Sequence, residues 1–265
     1  MRYGCSGSRV AEVGKYLYCI IPCLEERTFG TAAMGGEKGA VHTVCHQGLA
    51  AVVSDSPMKQ YESTRTNMMA HQAVLEAVMK EFALLPVRFG TVANAATTVA
   101  DIKRLLASRY EEFWGLLSDM GNKVELGLKA FWRDEKAIFQ EILAENADIR
   151  KLRDSLAGKA PAAIHFQGIP LGQRVKEALD RKRSQEAARI LHPLRPIAQQ
   201  VRENDTLVDR VVLNAAFLVS RDREPDFDEA VRRLDEEMCR RVAFKYVGPV
   251  PPYNFVNIVV NWQEL

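Results

Sequence analysis

His71 stands three and four residues before Val74 and Leu75, where the apolar stripe of a helix begins. An imidazole in that position packs into a core or caps a turn, with one ring nitrogen finding a partner. To act as an acid, base or ligand it needs a carboxylate or a neighbouring strand beside it. Arg88 lies between Val87 and Phe89 and, in an extended run, faces away from both. It is either a solvated strand residue or half of a buried ion pair. His42 and His46 flank Cys45 close to a turn, a poor metal-ligand set beside the ordinary reading as turn residues. The densest basic run, Arg181-Lys182-Arg183, with Arg174, Lys176 and Arg189 around it, is interrupted by Glu177, Asp180 and Glu186 at helical spacing. That pattern describes a salt-bridged solvent face better than a nucleic-acid or membrane footprint. No phosphate-binding loop, dinucleotide fingerprint, H-E-x-x-H or G-x-S-x-G is present. The residues alone therefore lead to the expectation of no catalytic centre, no cofactor and no metal.

Composition narrows the classes further. Of 265 residues, 47% are hydrophobic and 26% charged, the balance of a globular chain long enough for two domains. With 36 basic against 34 acidic residues, nothing suggests nucleic acid as a partner. The five cysteines are odd in number and form no C-x-x-C, so neither a disulfide framework nor a zinc knuckle is expected. Cys19 and Cys23, four apart in a strand, share a face and read as small buried thiols of a reducing cytoplasm. No apolar run reaches 18 residues, so no membrane span is expected. Residues 1–14 are rich in Gly and Ser and read as a flexible lead-in without a secretory signal's apolar core.

The elements that must position these residues can be traced in order. Tyr16 to Ile21 reads as a buried strand, Gly30 to Gly39 as a loop, and Val41–Cys45 with Leu49–Val53 as a hairpin around His46-Gln47-Gly48. A helix from Thr66 carries Val74, Leu75, Val78, Met79 and Phe82 on one face. Leu84 to Phe89 is expected to be a strand closed by Gly90. Thr98 to Asp101 fits a capping box opening one helix with Val99, Ile102, Leu106, Tyr110, Phe113 and Leu117 inward. Gly121-Asn122 marks a domain border. After it, Val124, Leu126, Leu128, Ala130 and Trp132 alternate with Lys123, Glu125 and Lys129, placing the charged residues on the opposite face. Asp134 to Leu156 reads as a helix, Gly158 to Gly172 as a connector, and the charged segment to Leu191 as a long helix bending at Pro193 and Pro196. Leu207 to Val219 is β-rich, in one or two strands, Asp226 to Arg240 helical, and Val242 to Val247 a last strand. The order is expected to give an α+β fold of two domains, each a mainly antiparallel sheet with helices on one side. The expected units are 15–121 and 122–256, with a tail at 257–265.

The segment from Gly248 to Val256 holds three prolines in four positions, Pro249, Pro251 and Pro252, followed by Tyr253 and Phe255. Proline has no N–H and a fixed φ, so the segment is expected to run as a stiff, polyproline-like strap offering the two aromatic rings as anchors.

Two motifs then coincide. Ala70-His71, Val74-Leu75 and Leu84-Leu85-Pro86-Val87-Arg88-Phe89-Gly90-Thr91 resemble the N-terminal half of the gas vesicle protein F/L family, and Gly248 to Val256 resembles its closing motif. Val124 to Lys129 with Trp132, and Leu213 to Val219, are similar to that family's central and later strands. The likeness runs from Lys15 to Val256 in the family's order. It departs where the family carries tryptophan in place of Val250 and serine in place of Asn254. The resemblance implies an accessory protein of gas vesicle assembly, two α+β domains with ferredoxin-like character in the second, and no reaction. It implies the small hydrophobic shell protein and other gas vesicle accessory proteins as partners, at the vesicle within the cytoplasm. The candidate contact residues are His71, Arg88, Phe89, Pro251, Pro252, Tyr253 and Phe255. The alternative is a ligand-binding or enzymatic α+β protein with its pocket near His71 and Arg88.

Overall fold

The computed structural model describes residues 14–30, 33–34, 40–57, 60–93, 99–156, 161–206 and 208–263, the side chains of 161–167 excepted. All of the lead-in but Gly14, Thr98 of the expected capping box and most of the Gly30–Gly39 loop lie outside the described residues. The chain forms an α+β fold in two compact units: Met1–Glu125 with Val250–Leu265, and Leu126–Pro249. The strap and tail, expected with the second half and beyond it, thus belong to the first unit. Burial explains this: Val256 and Ile258 are 4% and 1% exposed, and Ile258 bridges in parallel to Val87.

In the first unit, β1 (Gly14–Pro22), β2 (Thr28–Phe29), β3 (Val41–His46), β4 (Leu49–Ser56) and β5 (Leu85–Pro86) lie in the order β2-β3-β4-β1-β5, with β6 (Val92–Ala93) also on β1. The pairings are antiparallel. Residues 16–21 are wholly buried, which their run of aromatic and aliphatic side chains requires. The hairpin forms as expected: His46 pairs with Leu49, and Gln47 and Gly48 turn with φ of 48° and 88°. Both values are positive, the geometry whose twist suits a two-residue β-turn.

Helix α1 (Arg65–Met79) is capped by Thr64, whose hydroxyl accepts from the Asn67 N–H, and buries His71, Val74, Leu75 and Val78. The expected strand over 84–89 contracts to β5, because Pro86 cannot continue a ladder as a donor. Beyond it the Val87 N–H donates to the Tyr18 carbonyl and the Arg88 N–H to that of Ile258. The single helix expected after residue 98 is two, α2 (Val99–Ser108) and α3 (Tyr110–Met120). Arg109 breaks it at φ −113° and ψ 24°, bonding Glu112 and the Val259 carbonyl, while Ile102, Leu106, Phe113 and Leu117 stay buried.

Strand β7 (Lys123–Trp132) leads into the second unit, followed by α4 (Glu135–Glu145), α5 (Ala147–Leu156), α6 (Pro161–Leu194), β8 (Gln200–Glu203), β9 (Val211–Ser220), a short 3-10 turn (Arg221–Arg223), α7 (Glu224–Met238) and β10 (Val242–Val250). The sheet order is β10-β7-β9-β8, with β8 antiparallel to β9. Asn146, at φ −117° and ψ 94°, divides the helix expected over 134–156. The expected connector is helical from Pro161, since proline at a first helical position loses an N–H that had no partner there. Pro170 and Pro193 lie inside the same helix. The β-rich run is the single strand β9, and β8 is too polar to have shown any hydrophobic period.

The basic run is salt-bridged. Lys182 meets Glu141 at 3.0 Å and Glu145 at 2.8 Å, and Arg183 meets Asp180 at 2.9 Å and Asp209 at 3.4 Å. Arg241 closes the network, bidentate on Glu141 and bonded to Glu186, whose side chain is only 12% exposed. The Arg241 bonds hold the Glu141 carboxyl far down, at about 2. Arg241→Ala is expected to cost about 2 kcal/mol in urea unfolding, between the ~0.5 of an exposed pair and the ~4 of a broken buried one. An equal loss in Lys182→Ala, which leaves the Arg241 pairs intact, would contradict this assignment.

Candidate functional site

The strap is folded rather than rod-like, a correction to the polyproline expectation. Beyond Val250 the Tyr253 N–H donates to the Pro251 carbonyl, and the Phe255 and Val256 N–H groups donate to that of Pro252. The cause is a carboxylate. Glu125 accepts the Asn254 backbone N–H at 2.7 Å on Oε2 and the Asn254 side-chain amide at 2.6 Å on Oε1. Glu125 is 3% exposed, whereas strand alternation placed it with Lys123 and Lys129 on the face opposite the apolar side chains. A buried carboxylate holding two N–H donors outweighs proline's preference for extension, since charge-assisted bonds are the stronger kind. Pro251 and Pro252 are buried and Phe255 is half-buried.

This turn closes a cavity of about 310 Å³. Helix α1 contributes Met68, His71 and Gln72; the chain after β5 contributes Val87, Arg88 and Phe89; the strap contributes Tyr253 and Val256. Four of the seven candidate residues, His71, Arg88, Phe89 and Tyr253, therefore meet in one place. Pro251, Pro252 and Phe255 do not line it. Sequence reasoning missed Glu125, Asn254, Met68, Gln72 and Val256. Met68 and Met69, two methionines off the His71-Val74-Leu75-Val78 stripe, were a sequence signal that could have pointed to the apolar surface the fold leaves open there, at 51% and 59% exposed.

The electrostatics of the cavity are quiet. His71 is 5% exposed, and its Nδ1 lies 3.0 Å from the Tyr16 hydroxyl, which also accepts the Gly90 N–H at 3.1 Å. Its ring stacks on Tyr18 and meets Tyr16 and Phe89 edge-on. Burial pushes its pKa down to about 4, so the imidazole is neutral near pH 7. Tyr253 is 41% exposed, yet burial, then Glu76 and Glu125, push its phenol well above the ordinary range. Arg88 is exposed at the rim. The result is an apolar, aromatic recess with a neutral imidazole in its wall and a cation at its edge, suited to gripping an apolar side chain.

Elsewhere, His42 Nδ1 lies 3.0 Å from the Ala40 carbonyl and Cys45 bonds to that of Glu25. Among the described residues no group of three or more His, Cys, Asp or Glu could hold a metal ion. Among them, too, no helix is long and apolar enough to cross a membrane.

Comparison with known proteins covers nearly the whole chain. Residues 14–257 match the family model described as gas vesicle synthesis protein GvpL/GvpF. Gas vesicle protein F of Streptomyces sp. (strain CB03234) is 32% identical over 235 residues, 89% of this chain and 94% of that protein. Gas vesicle protein F of Nostoc sp. (strain PCC 7120) is 28% identical over 247 residues, 92% and 98% of the two chains. The crystal structure of GvpF from Anabaena sp. PCC7120 superposes with a TM-score of 0.78 at 28% identity, covering 94% of this chain and all of that one.

Proposed function

The chain belongs to the GvpL/GvpF family of gas vesicle synthesis proteins, so its work lies in gas vesicle formation; from that premise we propose that it binds the small hydrophobic shell protein and assists its assembly. The observation that carries this reading is the recess between α1, the chain after β5 and the strap, with the exposed Met68 in its lining. An unassembled apolar subunit risks edge-to-edge aggregation. A preformed apolar groove can hold one by helix or strand docking until it joins the wall. His71, Arg88, Phe89 and Tyr253 form the contact in this reading. Pro251, Pro252 and Phe255 shape the strap that presents Tyr253. The other gas vesicle accessory proteins are further partners, and the place of action is the growing vesicle in the cytoplasm. The strand order of the second unit supports its reading as ferredoxin-like.

Co-purification of the shell protein with this chain, in the presence of the other accessory proteins, tests the proposal. Tyr253→Ala and Phe89→Ala are each expected to weaken capture about tenfold, the ~1.4 kcal/mol of an interface anchor. Capture that fails outright with the unaltered chain, or normal flotation of cells lacking it, would refute the assignment.

A further inference from the structure

Two thiols that do not line the recess converge on one oxygen. Cys23, at the exit of β1, places its Sγ 3.1 Å from the Glu25 carbonyl oxygen, and Cys45, in β3, places its Sγ 3.3 Å from the same atom. Both cysteines are free, Cys23 buried and Cys45 partly open to solvent. An oxygen that accepts from two sulfurs holds them as neighbours. The two also act on each other: burial chiefly, with Cys23 and Glu26 behind it, holds the Cys45 proton more tightly than in an ordinary thiol, against a lowering bond from Thr43. Residues 23–27 have no regular structure, so the Cys23 backbone can adjust where a disulfide's narrow geometry demands it. Cys19, by contrast, is fully enclosed among core side chains.

We propose that Cys23 and Cys45 form a dithiol site for hydroperoxides, closing to a disulfide that ties the 23–27 connection to β3. The more open Cys45 reacts first. It attacks as its thiolate, the minor form because burial holds the proton, and breaks the O–O bond; the sulfur becomes a sulfenic acid, and the leaving oxygen takes up the thiol proton and departs as alcohol, or as water from hydrogen peroxide. The Cys23 sulfur then attacks the sulfenic sulfur, forming the S–S bond and expelling water. In total the two thiols lose two electrons and two protons, and the peroxide takes up both.

The test exposes the full chain to hydrogen peroxide and maps it by mass spectrometry without reduction. Expected is a product lighter by two hydrogens with a Cys23–Cys45 cross-link, restored by a thiol reductant. Fragmentation must separate Cys23 from Cys19, because both fall on the tryptic peptide 16–27. Cys45→Ser is expected to abolish the cross-link, and Cys23→Ser to leave a Cys45 sulfenic acid that dimedone traps. Oxidation confined to Cys239, a link through Cys19, or over-oxidation of Cys45 without a bond in the folded chain would each overturn the proposal.

Discussion

Glu125→Ala is expected to destabilise the chain by about 3 kcal/mol, the sum of two hydrogen bonds to a carboxylate and the desolvated donors left behind. In a chain of this size that is a fall in Tm of roughly 6–12 °C. Asn254→Ala removes the side-chain bond to Glu125 and keeps the backbone one, so it should cost about 1 kcal/mol. The double variant should cost less than the two singles together, because each removes the same contact. Glu125→Gln turns a donor toward donors and is expected to behave more like alanine than like the native residue. Urea unfolding of the four proteins measures all of this. A strap that stays folded and protected from protease in Glu125→Ala would show that proline stiffness, and not the carboxylate, shapes it. If the recess grips the shell protein, Glu125→Ala should also weaken capture without altering any residue of the recess itself.

Stability should fall as pH drops from 7 to 5 through His71. Burial lowers the folded-state pKa to about 4, whereas the unfolded chain titrates near its ordinary value of about 6.5. Between those values the unfolded state binds the proton and the folded state does not, so acid favours unfolding. The loss begins near pH 6.5, grows by about 1.4 kcal/mol per pH unit, and levels off below pH 4 at about 3 kcal/mol. Comparison with His71→Gln isolates the effect from other titrating groups. The variant is expected to be about 2 kcal/mol less stable at pH 7, where it loses a well-packed ring and takes the imidazole partner from the Tyr16 hydroxyl, which keeps the Gly90 N–H. By pH 5 that difference should shrink by most of its size. A gap between the two proteins that does not change with pH would mean that His71 titrates normally, and is therefore open to water.

The same two residues mark how far the chain could be read before its structure. His71 was legible as a core imidazole because its spacing to Val74 and Leu75 is a local, helical property, and α1 realises it. Strands β1, β3, β4 and β7, the hairpin at Gln47-Gly48 and helix α7 were legible for the same reason. Each depends on side chains within a few residues of one another. The breaks at Arg109 and Asn146 were not, because the apolar stripe continues through both and only the backbone departs. Nor was helix at Pro161 and Pro170, where two prolines outweighed a long helical context.

What the sequence determined by itself is the family, the α+β class and an apolar strap with aromatic anchors, since motif order and hydrophobic period are written along the chain. What only tertiary structure decided is where that strap goes. Glu125 and Asn254 are 129 residues apart, and β-alternation assigned Glu125 to the charged face of its strand. No local rule pairs a carboxylate with an amide so distant. The bond exists because the chain's return brings Val256 and Ile258 into the first unit's core, and burial then makes an unpartnered carboxylate too costly to leave.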